Sequence, residues 1–180
     1  MFRPISLPAG LGLLALAACQ PSTKPQLPTA ADTTAIEKVR TDYIAAWNAG
    51  KVDDVLRLYT ADAELLPAGA PLVRGSNALR TYFNSALGTP TRPTLSLPTG
   101  TLVGRQDLVV YVGSDTLTVP APAPAAQPAR RARAAAPAGP TVLTAKYIVV
   151  LLKQADGGWK IAYHAEAPDA PMPPTPAAKP

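Results

Sequence analysis

The chain of 180 residues predicts an α+β domain, with helices first and a sheet after them. Apolar residues recur at three- and four-residue steps from Ile36 to Trp47, the spacing of one helical face. Beyond Gly88 the period changes to runs of β-branched and aromatic residues, the pattern of strands. Asp156-Gly157-Gly158 then places a hairpin turn between the last two runs.

The first helix is predicted to open at Thr34, whose spacing to Glu37 fits a capping box, and to close at Gly50. Ile36, Val39, Tyr43, Ile44 and Trp47 share its apolar face. A second, short helix follows over Val52 to Tyr59, with Val55, Leu58 and Tyr59 inward. A third opens with Ser76 as N-cap, presents Leu79, Phe83, Ala86 and Leu87, and stops at Gly88. A short strand at Ala63 to Leu66 joins strands at Thr94 to Leu102, Leu108 to Val112, Thr116 to Val119, Val142 to Leu152 and Trp159 to Ala165.

Many of the 22 prolines gather outside these segments. Gln20 to Ala31 reads as a tether, and 168–180 as a disordered tail. Pro120 to Pro140 carries Arg130, Arg131 and Arg133 but no large apolar side chain. It cannot offset the entropy of ordering itself, and is expected to be an exposed, disordered insertion between two strands. The expected organisation is a leader over 1–18, a tether over 19–32 and a domain over 33–167 interrupted at 120–140.

Formal net charge is +5, but Arg3 and the three arginines of the insertion account for most of it. No basic face with interleaved aromatics remains, so a nucleic-acid partner is not expected. With one cysteine and one histidine there is no internal disulfide, no cysteine metal site and no Cys-His nucleophile pair. Glycine-rich phosphate loops are missing too. No cofactor or metal is expected.

Arg3, the apolar run Leu7 to Leu16 and then Leu16-Ala17-Ala18-Cys19 resemble the signal and lipobox of bacterial lipoproteins. The resemblance implies cleavage after Ala18 and lipidation of Cys19. The membrane is thereby a partner, through two or three acyl chains. It places the protein in the bacterial cell envelope. With Gln20 after the cysteine, the expected address is the outer membrane, facing the periplasm.

Thr41-Asp42-Tyr43 through Trp47-Asn48-Ala49-Gly50, then Leu58-Tyr59-Thr60-Ala61-Asp62-Ala63 and Gly75 before a helix, resemble the opening half of ketosteroid-isomerase-like domains. Asp156-Gly157-Gly158-Trp159-Lys160-Ile161 through His164 resemble the closing hairpin of SnoaL-like domains and of the domain of unknown function 4440. All are members of the nuclear-transport-factor-2-like superfamily. The resemblance implies a curved antiparallel sheet wrapped around three N-terminal helices, a cone-shaped α+β barrel enclosing a pocket, and commonly a homodimer. Ile148, Val150 and Leu152 agree with the last point, since they need cover as much as Tyr147, Val149 and Leu151 do. Tyr43 falls where ketosteroid isomerases keep an oxyanion-hole tyrosine. Leu66, ahead of Pro67, falls where their aspartate base belongs, and the penultimate strand offers Tyr147, Ile148, Val149 and Val150 in place of their second acid.

Those residues leave three readings. The leading one is a membrane-anchored, non-catalytic module that binds a small apolar ligand or a peptide, walled by Tyr43, Trp47, Tyr59, Leu66, Phe83 and Tyr147. The second is an isomerase, cyclase or hydratase with Tyr43 as donor and Glu64 or His164 as base. The third is a structural dimerisation domain. Strict alternation puts Trp159, Ile161 and Tyr163 on one face, and Lys160, Ala162, His164 and Glu166 on the other. His164 is therefore expected at solvent or a subunit contact, unless a bulge reverses the pattern. Asp62 is expected to bond a turn.

Overall fold

The computed structural model describes residues 26–89, 92–121 and 139–170. The leader, Cys19 and most of the proline-rich tether, insertion and tail lie outside them. Three helices, α1 (Ala30–Ala49), α2 (Val52–Arg57) and α3 (Gly75–Leu87), accompany seven strands. The strands are β1 (Tyr59–Leu66), β2 (Val73–Arg74), β3 (Thr94–Ser96), β4 (Thr101–Gly104), β5 (Leu108–Val119), β6 (Thr141–Lys153) and β7 (Trp159–Pro168). They form one curved, open sheet in the order β2-β1-β7-β6-β5-β3, with β4 also on β5.

The sheet is mixed, where an antiparallel one was expected: β1 runs parallel to β7. The chain leaves β1 through β2 and α3 and returns along β3 to β6, so β7 meets β1 in the same direction. Two strands expected at Leu108–Val112 and Thr116–Val119 are one continuous β5, paired with β6 from Leu108↔Leu152 to Val119↔Thr141. The insertion thus joins the far ends of a long hairpin. The single strand expected at Thr94–Leu102 is instead split into β3 and β4, with Pro98, which has no amide to donate, in the gap between them.

The core is the apolar face of α1 against the concave side of the sheet, with α3 closing one end through Leu79, Phe83 and Leu87. α1 begins four residues earlier than expected, because the capping box belongs to Thr29 and Asp32. Asp32 does more than cap. Its carboxylate accepts from Lys153 Nζ at 2.7 Å and from Trp159 Nε1 at 3.2 Å, tying the start of α1 to the β6–β7 hairpin. Those bonds, the one from Lys153 foremost, hold its pKa far below the usual carboxylate range. α3 starts after Arg74 with no side-chain cap, and Ser76, expected as N-cap, donates instead to the Ala61 carbonyl. Tyr59 opens β1 and does not close α2.

Alternation along β7 breaks once. Val150 pairs with Tyr163 and Leu151 with Ile161, so Ala162 is the extra residue of a bulge. Trp159 and Ile161 face inward before it, and His164 after it. Tyr163 is turned out and half exposed. Because the bulge takes up Ala162, the alternation shifts by one and His164 reaches the concave side.

Candidate functional site

A cavity of about 60 Å³ lies between α1 and the concave sheet. Along α1 its wall is Ile36, Val39, Arg40, Tyr43 and Trp47. The β3 side gives Leu95 and Leu97, and β5 gives Tyr111, Asp115 and Leu117. Tyr147, Val149 and Leu151 come from β6, and Ile161, His164 and Glu166 from β7. The space is several times the roughly 10–15 Å³ that one water requires, and most of the wall is apolar.

Its polar groups form two sets. In the first, Tyr59 Oη lies 2.8 Å from His164 Nδ1, and the Tyr43 ring meets the Tyr59 ring edge-on at 6.4 Å. His164 Nε2 in turn lies 3.5 Å from Glu166 Oε1. Burial pulls His164 from 6.5 down to about 4, so the ring is neutral at pH 7. Burial likewise pushes the phenols of Tyr43 and Tyr59 well up, and raises Glu166. The ring of Tyr43 meets the His164 ring edge-on at 5.9 Å.

The second set surrounds Asp115. This carboxyl is 7% exposed, and its Oδ1 has no hydrogen-bond partner among the described residues. Burial, with the charge of Glu166 adding to it, raises Asp115 from 3.8 to about 6. Tyr147 Oη, on the adjacent strand, is also buried without a partner, and burial pushes that phenol up to about 12. Gly113 makes room for it: a Cβ there would stand 2.5 Å from Tyr147 Oη. Tyr111 lies parallel to Tyr147, ring centroids 6.3 Å apart. It donates to Glu37 Oε1 at 2.8 Å and accepts from the Gly100 amide at 2.8 Å. Arg40 Nε donates to Glu37 Oε2 at 2.8 Å, and Arg40 Nη1 to the Leu97 carbonyl.

Of the residues expected at a site, Tyr43, Trp47, Tyr147 and His164 line the cavity. Tyr59 stands behind His164, and Phe83 is core beneath Trp47 and Tyr59. Two are elsewhere. Glu64 pairs with Arg74 at 2.7 Å, and Leu66 is 45% exposed, both outside the cavity wall. Asp62 is exposed. Reading the sequence missed Asp115, Arg40 and Tyr111, and had Glu166 on the outer face. The signal for Asp115 was present: it is the one acid on β5 and shares parity with Val109 and Tyr111. The acid expected on the penultimate strand has no counterpart there, yet carboxyls enter from both flanking strands, Asp115 on β5 and Glu166 on β7.

A cone of this topology, with helix α1 across the concave face of a mixed sheet, matches the SnoaL-like domain over residues 41–164. The chain belongs to the SnoaL-like domain family, a ligand-binding or enzymatic group of the nuclear-transport-factor-2-like fold. It is similar to a protein of unknown function from Mycobacterium tuberculosis, at 21% identity over 77% of each chain and a TM-score of 0.63. A ketosteroid isomerase-like protein from Erwinia carotovora atroseptica is 20% identical over 77% of this chain and 96% of its own, TM-score 0.59. A nuclear-transport-factor-2-like protein with a cystatin-like fold from Novosphingobium aromaticivorans is 11% identical over 77% of this chain and 82% of its own, TM-score 0.61. These likenesses carry the fold alone. No curated protein matches the chain. Among the described residues no cluster of three metal-ligating side chains occurs, and no helix is long and apolar enough to cross a membrane.

Proposed function

We propose that the protein is a membrane-anchored module that binds a small, largely apolar molecule in the cavity between α1 and the sheet. One observation carries this reading: Asp115 Oδ1 and Tyr147 Oη are buried at the cavity with no partner among the described residues. Each desolvated polar atom left unmatched costs about 1–3 kcal/mol, a cost that a bound molecule offsets. Tyr43, Trp47 and Tyr147 supply the aromatic wall. Amide shift mapping with benzyl alcohol tests the pocket. Perturbations concentrated at Tyr43, Trp47, Tyr147 and Leu151 are expected. Saturable shifts only on the outer face of the sheet, or none, would overturn the reading.

Anchoring rests on Leu16 to Cys19, outside the described residues, and places the domain at the cell envelope. A second copy is the proposed cover for the outer sheet face. There Val112 pairs with Ile148, Ile148 with Ala165 and Ala165 with Leu66, one apolar row across four strands. Val112, Ile148 and Leu66 are 39%, 49% and 45% exposed.

His164 favours a second reading, acid–base catalysis on the bound molecule. Its ring lies between Tyr59 and Glu166, neutral and at the cavity wall, which is a competent arrangement for moving a proton. The two readings separate on turnover: an enzyme converts its bound molecule and loses that conversion in His164→Gln, whereas a binding module returns the molecule unchanged.

A further inference from the structure

We infer that the polar end of the ligand is a protonated amine, seated between Asp115 and Tyr147. The inference rests on the binding reading above and adds the chemical class. Its starting point is the charge that faces this end of the cavity. From α1 come Arg40 and Glu37, from β5 Tyr111 and Asp115, from β6 Tyr147, and from β7 His164 and Glu166. Arg40 is already balanced, since its guanidinium is held by Glu37 and the Leu97 carbonyl. His164 is neutral, with Nδ1 taken by Tyr59. Beyond the end of β7, Asp169 adds a further negative charge, itself paired with Lys146. The buried Asp115 carboxyl and the partly exposed Glu166 carboxyl are left without a counter-cation among the described residues.

The hydrogen-bond inventory points the same way. Asp115 Oδ1 wants a donor, and the Tyr147 oxygen can accept one. A hydroxyl brings a single donor and no charge. An ammonium brings three donors and the missing positive charge. A carboxylate ligand would meet like charge.

Calorimetric titration of the mature chain with benzylamine, benzyl alcohol and benzoate tests this. These probes share a ring and differ at the polar end. At about pH 7.5 the amine is expected to bind at least about tenfold tighter than the alcohol, in keeping with the strength of charge-assisted hydrogen bonds, and benzoate weaker than both. Asp115→Asn should bring the ratio of amine to alcohol affinity down to about one. Tyr147→Phe should weaken the amine less. Lowering the wild type to about pH 5 should weaken the amine and leave the alcohol unchanged, a readout that needs no variant. Alcohol binding as tight as the amine would overturn the amine while the pocket stands. No binding by any probe would overturn both.

Discussion

Burial holds the Asp115 carboxyl near pH 6 in the folded chain against 3.8 unfolded, so the folded state binds more protons between those values. Stability from this group therefore falls as pH rises through that window and stays reduced above it. His164 has the opposite sign. Its folded value of about 4 lies below 6.5, so its contribution is full above 6.5 and is lost as pH falls toward 4. The two slopes oppose each other in the wild type. Asp115→Asn should raise the unfolding free energy at pH 7 by about 1–3 kcal/mol, and denaturant titrations of the variant should show stability climbing between pH 4 and 6.5. A loss of stability at pH 7 would mean that Asp115 has a structural partner. At Leu66, where ketosteroid isomerases keep their base, there is no carboxyl, and Glu64 beside it is bound to Arg74 outside the cavity. Purified protein should therefore convert no Δ5-ketosteroid above a buffer control. Turnover abolished by His164→Gln would put the catalytic reading first.

Among the elements, β7 decides what the cavity contains. Deleting Ala162 removes the bulge but keeps the pairing of Val150 with Tyr163 and of Val149 with His164, so His164 and Glu166 stay inward. In an NMR titration the imidazole should therefore stay neutral down to about pH 5 in both the wild type and the deletion variant. A deletion variant that titrated near 6.5, the value of a solvated histidine, would show that the bulge itself, and not the register beyond it, sets the ring's place. Asp32 makes a second element-level device, joining α1 to the β6–β7 hairpin. Asp32→Ala should lower the melting temperature more than Thr29→Ala, because it also releases Lys153 and Trp159. The helices and the long strands were legible because period and turn residues are local. Capping at Thr34 and Glu37 fitted the local pattern equally well, but Glu37 is used by Arg40 and Tyr111, contacts invisible along the chain. Two strands were expected where β5 is continuous, since Gly113 looks like a break until Tyr147 is seen to occupy its open side. The site was half legible. Aromatic residues on α1 announced a wall, while the bulge that admits His164 and Glu166 has no sequence mark beyond a small residue.

For the whole molecule, the exposed apolar row on the outer sheet face predicts association. Sedimentation of the mature chain at tens of micromolar, with Cys19→Ala to prevent acylation, should give a dimer (a range typical of modest affinities). Ile148→Lys, in the middle of the row, should give a monomer with unchanged folding. A wild-type monomer would leave that face without its proposed cover. Labelled palmitate should enter the full chain and not Cys19→Ala, and equal labelling of both would end the anchoring proposal. Both features leave the concave side free, so the anchored dimer would present two cavities away from the shared face. The central claim, that the cavity with its unmatched Asp115 and Tyr147 atoms is a ligand site, is tested most directly by a crystal structure of the protein grown with benzylamine. The account predicts the ring against Tyr43, Trp47 and Tyr147, and the nitrogen at about 2.7–3.2 Å from Asp115 Oδ1. An empty cavity at saturating benzylamine, with Asp115 Oδ1 bonded to another group of the protein, would contradict it.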